Sequence, residues 1–147
     1  IRHMRQVLTR HPRAAVCGAR LVYPDATIQH HGVVFGADGK GPYHRNVRKP
    51  SAIISRTTDS LQAVTGACML IRESAFDEAG GLDESYKFGL EDIDLCLRLR
   101  QAGWLIFCCQ QVDSLHFESM TPGRSELDFP SRKCFMERWK NKYTIDG

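Results

Sequence analysis

The side chains best placed to do chemistry lie between Ala63 and His116. Glu91, Asp92 and Asp94 crowd at what reads as the start of a helix, just behind Phe88-Gly89. The small residues Thr65-Gly66-Ala67 precede them, and a lone histidine, His116, follows. An ionised carboxylate held at the mouth of a cleft can take the proton from a hydroxyl as that hydroxyl attacks, which is general base catalysis. Positions 92 and 94 point about 200° apart on a helical wheel, so one faces the core and the other can face a cleft. Asp92 is the candidate for the cleft, since Gly89 lets the backbone approach a ligand closely. Asp94 stands four residues before Arg98 and is expected to form a supporting ion pair worth a few tenths of a kcal/mol. Acids at a helix start are also favoured by the unpaired N–H groups and the helix dipole, so the cluster alone does not require catalysis.

Asp92-Ile93-Asp94 spells D-x-D, a pattern known from metal sites, but two carboxylates at that spacing on a helix diverge and the match is read as coincidental. His116 stands where an apolar strand runs into a polar turn. A neutral imidazole there can ligate a divalent ion; a hydrogen-bonded structural histidine is the alternative. His30 and His31 point to opposite faces of their strand and cannot chelate together. His44, next to Arg45, could contact a phosphate or an acceptor. Gly66, taken alone, reads as a close-packing or bulge position.

These residues have to be positioned by an alternation of strands and helices. Residues 7–12 are expected to be the tail of a helix stopped by Pro12. Strands are expected at 15–23 and 28–35, joined by a Pro24-Asp25 turn as a hairpin or as neighbours. Residues 36–60 are rich in glycine, proline and charge and read as one long, functional or mobile loop. A third strand at 61–71 leads to a short helix at 73–78, ended by Gly80-Gly81. The helix expected at 90–101 carries Leu90, Ile93, Leu95, Cys96, Leu97 and Leu99 around most of its circumference and should be buried on more than one side. Two short strands, 104–109 and 112–117, and an amphipathic helix at 125–143 complete the chain.

At 147 residues the chain fits a single domain able to bury roughly two thirds of its unfolded surface. A composition 42% hydrophobic and 25% charged excludes global disorder. The balance of 20 basic against 17 acidic residues gives no reason to expect nucleic acid as a partner. The basic residues do cluster, at Arg45, Arg48 and Lys49 and at Arg132, Lys133, Arg138, Lys140 and Lys142, patches able to steer an anionic substrate or lie against acidic lipid headgroups. No run of about 18 apolar residues is present to span a membrane, and the first five residues read as a cut end rather than a secretory signal. Six cysteines without a C-x-x-C pair, mostly inside apolar runs, are expected to be free thiols in a reducing compartment, which places the chain in the cytoplasm.

Five segments, in order, resemble family 2 glycosyltransferases with the GT-A fold, of the bacterial kind that build cell-surface polysaccharides. They are Pro24-Asp25-Ala26-Thr27-Ile28-Gln29-His30-His31-Gly32, the run from Ala63 to Arg72, Gly80-Gly81-Leu82-Asp83-Glu84, the run from Glu91 to Arg100, and Val112 to Ser119. The resemblance implies an α/β chain forming the C-terminal, acceptor-side half of a GT-A nucleotide-diphospho-sugar transferase fold, a mixed sheet with flanking helices. It implies Asp92 as the catalytic base, Glu91 as its substrate-contacting neighbour, and Thr65, Gly66 and Ala67 against the transferred sugar. His116 matches a histidine that in some members completes a site for Mn²⁺ or Mg²⁺.

Members carry, ahead of these segments, a βαβ half that binds the nucleotide and holds the metal-binding D-x-D, so the resemblance implies that about 100 residues of the same protein are missing. Expected partners are a nucleotide-sugar donor and a glycan acceptor, with peripheral association at the inner face of the membrane. Transfer would be inverting, and the chain by itself inactive. Two alternatives remain: a non-catalytic binding module that docks through the basic C-terminal helix, and a galactosyltransferase of the animal secretory pathway, which the adjacent Cys108-Cys109 fit poorly because secretory proteins usually use disulfides.

Overall fold

The computed structural model describes residues 1–37, 41–117 and 124–147, with the backbone alone for 124–129. In chain order the elements are α1 (Arg2–Arg10), β1 (Ala14–Val22), β2 (Ile28–His30), β3 (Val33–Phe35), β4 (Pro42–His44), β5 (Asp59–Leu61), β6 (Met69–Ile71), α2 (Glu73–Glu78), α3 (Glu91–Gln101), β7 (Leu105–Leu115) and α4 (Arg124–Trp139). The apolar run of β1 is buried along its whole length. It runs parallel to β7 on one side, and on the other it pairs antiparallel with β6 at Val16 to Gly18 and with β2 at Leu21 and Val22. β5 adds to the far side of β7, and β3 and β4 form a separate hairpin.

A parallel pair buried on both faces needs a layer on each side. Met4, Val7 and Leu8 of α1 cover Cys17, Ala19, Leu21, Phe107 and Cys109. The opposite face packs Val16, Ile106 and Cys108 against Ile93, Leu95, Leu97 and Leu99 of α3 and Phe135 and Trp139 of α4. The side chains of β1 and β7 divide between the two layers with the two-residue period of a strand. The result is a mixed sheet with flanking helices, a partial GT-A-like fold.

Several elements differ from the sequence reading, each for a local reason. The strand expected at 28–35 divides at His31-Gly32, where Gly32 takes φ +104° and any Cβ would lie 2.3 Å from Leu61 Cδ1. Its first part joins the sheet and its second turns to the hairpin. The expected loop at 36–60 contains β4, a 3₁₀ turn at Ser51–Ile53 and the start of β5. The third strand is three pieces: β5 ends on β7, the chain crosses the sheet face, and β6 begins on β1. Val64 makes that crossing over Gly18, where a Cβ would come within 2.7 Å of the Val64 Cβ. Conversely, the two strands expected between 104 and 117 are one, β7, whose register against β1 jumps between Cys109 and Asp113.

The segment at 51–56 is tied to the sheet by Arg20, which is fully buried and pairs through Nε with Asp113 Oδ1 at 3.0 Å. The same guanidinium donates to the carbonyls of Ser51, Ile54 and Ser55, so its charge is compensated on several sides. All six cysteines are free thiols, and Cys17, Cys96, Cys108 and Cys109 are buried. Burial pushes the Cys17 and Cys96 thiols up to about 12. Among the described residues no helix is long and apolar enough to cross a membrane.

Candidate active site

Two consecutive left-handed residues, Gly89 (φ +73°) and Leu90 (φ +72°), turn the chain sharply into α3. For a leucine that conformation costs on the order of 1–2 kcal/mol, a strain the surrounding packing has to hold. The turn delivers Glu91, Asp92 and Asp94 into the first turn of the helix. There the two aspartates diverge, as their spacing requires.

Asp94 is fully buried. Its Oδ2 accepts from Arg98 Nε at 2.7 Å. Its Oδ1 accepts from Trp139 Nε1 at 2.7 Å, Arg138 Nη1 at 2.9 Å and the Tyr86 hydroxyl at 3.0 Å. Burial alone would raise this carboxyl, but the hydrogen bonds from Arg138, Trp139 and Arg98 outweigh it and hold Asp94 below its usual range. The expected i, i+4 pair is present, and it stands at the centre of a buried network joining α3 to α4.

Asp92 faces the other way, onto an open cleft of about 1500 Å³ that Thr65, Gly66, Ala67, Glu91 and His116 also line. The cleft is bounded by the 3₁₀ turn at Gly66–Cys68, the run from Leu82 to Ile93, and His30 and His44. The Gly66 N–H donates to Asp92 Oδ2 at 2.5 Å and the Ile93 N–H to Oδ1 at 2.8 Å, which fixes the carboxylate plane. Among the described residues Asp92 makes no ion pair. Thr65 shapes the turn by accepting the Ala67 N–H at 3.4 Å.

Gly66 is required for proximity rather than for unusual backbone geometry. A Cβ there would stand 3.1 Å from the Asp92 Cβ and 3.4 Å from its Oδ2. Gly66→Ala is expected to displace the carboxylate by a few tenths of an ångström and lower turnover of the full-length protein about tenfold, with little loss of thermal stability. Steady-state kinetics beside a melting curve checks both halves of that expectation.

Glu91 is half-buried, and its Oε2 has no hydrogen-bond partner within the protein among the described residues. Burial and the adjacent Asp92 carboxylate push Glu91 above its usual range.

His116 is clasped by Gln29, whose Oε1 lies 2.6 Å from His116 Nδ1 while its Nε2 reaches the His116 carbonyl at 3.5 Å. An amide oxygen can only accept, so Nδ1 carries a proton, and in the neutral ring it is Nε2 that keeps a lone pair. That is how a ligating imidazole is usually oriented from behind. No three His, Cys, Asp or Glu side chains come together as a metal cage among the described residues. The described residues thus offer one suitable nitrogen, at His116, and no complete site. Glu118 and Ser119, the end of the segment Val112 to Ser119, lie outside the described residues.

His30 and His31 do part company. His31 is buried against Arg45, whose Nε donates to its Nδ1 at 3.0 Å, and burial with that cation lowers it to about 4. Arg45 also pairs with Asp59 at 2.7 Å, so it is committed inside the fold rather than presented with His44 to an anion. His30 is fully buried and meets His44 at 2.7 Å through their Nδ1 atoms. Sequence reasoning passed over Gln29 and His30 as site residues. The one available signal was that both fall in the same Pro24-to-Gly32 segment that carries the resemblance.

No family model matches the chain. Individual proteins do. The chain is 34% identical to an uncharacterised protein, y4gI, of Sinorhizobium fredii, over 90% of the chain and 16% of that protein. It is 34% identical to the O-antigen biosynthesis protein RfbC of Myxococcus xanthus, over 74% of the chain and 9% of RfbC. To the N-acetylglucosaminyl-diphospho-decaprenol L-rhamnosyltransferase of Mycobacterium tuberculosis it is 32% identical, over 79% of the chain and 41% of the enzyme. The sheet, the flanking helices and the carboxylate-lined cleft define part of a GT-A-like glycosyltransferase fold. Two of these relatives are named for glycan synthesis, and they support a family 2 glycosyltransferase of the cell-surface polysaccharide type. The chain spans less than half the length of each of these relatives.

Proposed function

We propose that the full-length protein is an inverting glycosyltransferase that moves a sugar from a nucleotide-sugar donor to an acceptor hydroxyl in polysaccharide or glycan synthesis, and that this chain is its acceptor and base half. The observation that carries the reading is the Asp92 carboxylate, held by two backbone N–H groups on the wall of the cleft while its neighbour Asp94 is consumed by the core. In this reading the acceptor hydroxyl donates its hydrogen bond to Asp92, which takes the proton as the oxygen attacks the anomeric carbon from the face opposite the leaving diphosphate. Glu91 and the turn at Thr65, Gly66 and Ala67 hold the sugar hydroxyls, and the cleft keeps the two reactants aligned.

A divalent ion such as Mn²⁺ or Mg²⁺, when bound, would neutralise the departing diphosphate, and His116 Nε2 is the ligand that the described residues would contribute. The remaining ligands and the nucleotide site belong to the rest of the full-length protein, which works at the cytoplasmic face of the membrane. Full-length protein should therefore turn over a nucleotide sugar with a glycan acceptor, and the 147-residue chain should not. Turnover by the isolated chain would show that the donor site lies within it. Full-length protein that binds glycan but transfers nothing from any nucleotide sugar would replace this reading with that of a binding module.

A further inference from the structure

We propose that His30 is a positioning residue for Asp92, acting through the backbone turn that holds the carboxylate; the inference rests on Asp92 being the base. His30 is fully buried beneath the cleft, and its Nε2 accepts the Thr65 N–H at 3.4 Å. A backbone N–H can only donate, so Nε2 of His30 is unprotonated and the ring proton is on Nδ1. That proton points to His44 Nδ1, 2.7 Å away, which fixes His44 as the acceptor of the pair. The next backbone N–H after Thr65 is that of Gly66, which donates to Asp92 Oδ2 at 2.5 Å. One rigid run therefore leads from the β3–β4 hairpin through His44, His30 and the Thr65-Gly66 backbone to the carboxylate.

The tautomer makes the arrangement directional. A second proton on His30 would have to sit on Nε2, facing the Thr65 N–H, and would turn an acceptor into a clash of two donors. Burial, with the His44, His31 and Arg45 groups nearby, keeps the ring neutral, in agreement with that geometry. A leucine at position 30 would fill much of the volume but leave the part-buried Thr65 N–H without its partner and the turn free to move. A glutamine can place its carbonyl oxygen near the Nε2 position and keep that hydrogen bond.

The test uses the full-length enzyme. His30→Leu is expected to lower kcat about tenfold to a hundredfold while KM for donor and acceptor stays within about threefold, and His30→Gln to recover most of the loss. In an Asp92→Asn background His30→Leu should cost nothing further, because the group it positions is already disabled. Equal losses in both backgrounds, or no recovery with glutamine, would overturn the proposal. A second readout does not depend on turnover. The Gly66 amide proton, downfield because of its short bond to a carboxylate, should shift upfield in His30→Leu and hold its place in His30→Gln. An unmoved Gly66 signal in His30→Leu would also overturn the proposal. If Asp92→Asn retains full activity, the base assignment fails, and the Gly66 signal still decides whether His30 orders the turn. Should His30→Leu not fold, His30→Asn, whose amide is too short to reach Thr65, takes its place with the same expected losses.

Discussion

Asp92→Asn in the full-length enzyme is expected to reduce kcat by about 10²–10⁴, the range over which a positioned general base contributes, while nucleotide affinity changes by less than about threefold. The asparagine is nearly isosteric, and its side-chain oxygen can still accept the Gly66 and Ile93 N–H groups that hold the aspartate. What it cannot do is take a proton at neutral pH. The fold, the cleft and the Thr65-Gly66 turn should therefore survive, and only the chemical step should suffer. Transfer assays paired with calorimetric titration of the nucleoside diphosphate separate the outcomes. A matching loss of nucleotide affinity would reassign Asp92 to the metal site, and unchanged kcat would remove it from the chemistry altogether.

Asp94→Ala is expected to be the most destabilising single change at this end of α3, by about 3–5 kcal/mol, because it strips a buried charge cluster of its acceptor. Arg98, Arg138, Trp139 and Tyr86 all donate to this one carboxylate; Arg98 would keep the Ala79 and Gly81 carbonyls and Arg138 would keep Asp83, while Trp139 and Tyr86 would lose their acceptor. For a domain of this size that corresponds to a fall of roughly 6–20 °C in Tm. The acid limb of stability carries the same signature. A carboxyl whose folded pKa is depressed contributes fully above its unfolded value of 3.8, and that contribution is lost as pH falls through the lower folded value. The variant should thus lose stability at neutral pH and show a flatter decline below about pH 4 than the parent. A Tm change under 2 °C would mean that the four donors find water or other partners without cost.

The helices and the central strand were legible because their signals are local. Pro12 ends α1 one residue after its C-cap, Gly80-Gly81 closes α2, and the apolar circumference of α3 predicted its burial. The divergence of Asp92 and Asp94 followed from helical geometry alone. What was not legible depends on partners far along the chain. The run at 61–71 is mostly apolar, and nothing local shows that β5 and β6 pair with different strands, so that the chain must leave β7 after Leu61 and cross over Gly18 at Val64 before β6 begins. The pairing of Asp94 with Arg98 was readable at four residues' distance, whereas Arg138 and Trp139 are reached only through the packing of α4. Likewise the alternation of His30 and His31 showed that they face apart, but not that His44 would come from a hairpin to meet one of them.

The pairing of β1 with β7 joins residues about 90 positions apart in a parallel ladder, with every other sheet strand attached to one of those two. During synthesis β1, apolar apart from Arg20, leaves the ribosome about 90 residues ahead of its main neighbour and must wait for it. Nascent molecules stalled or cleaved before residue 105 expose that sticky edge with nothing to cover it, and they are the species a cell must shield with chaperones or degrade.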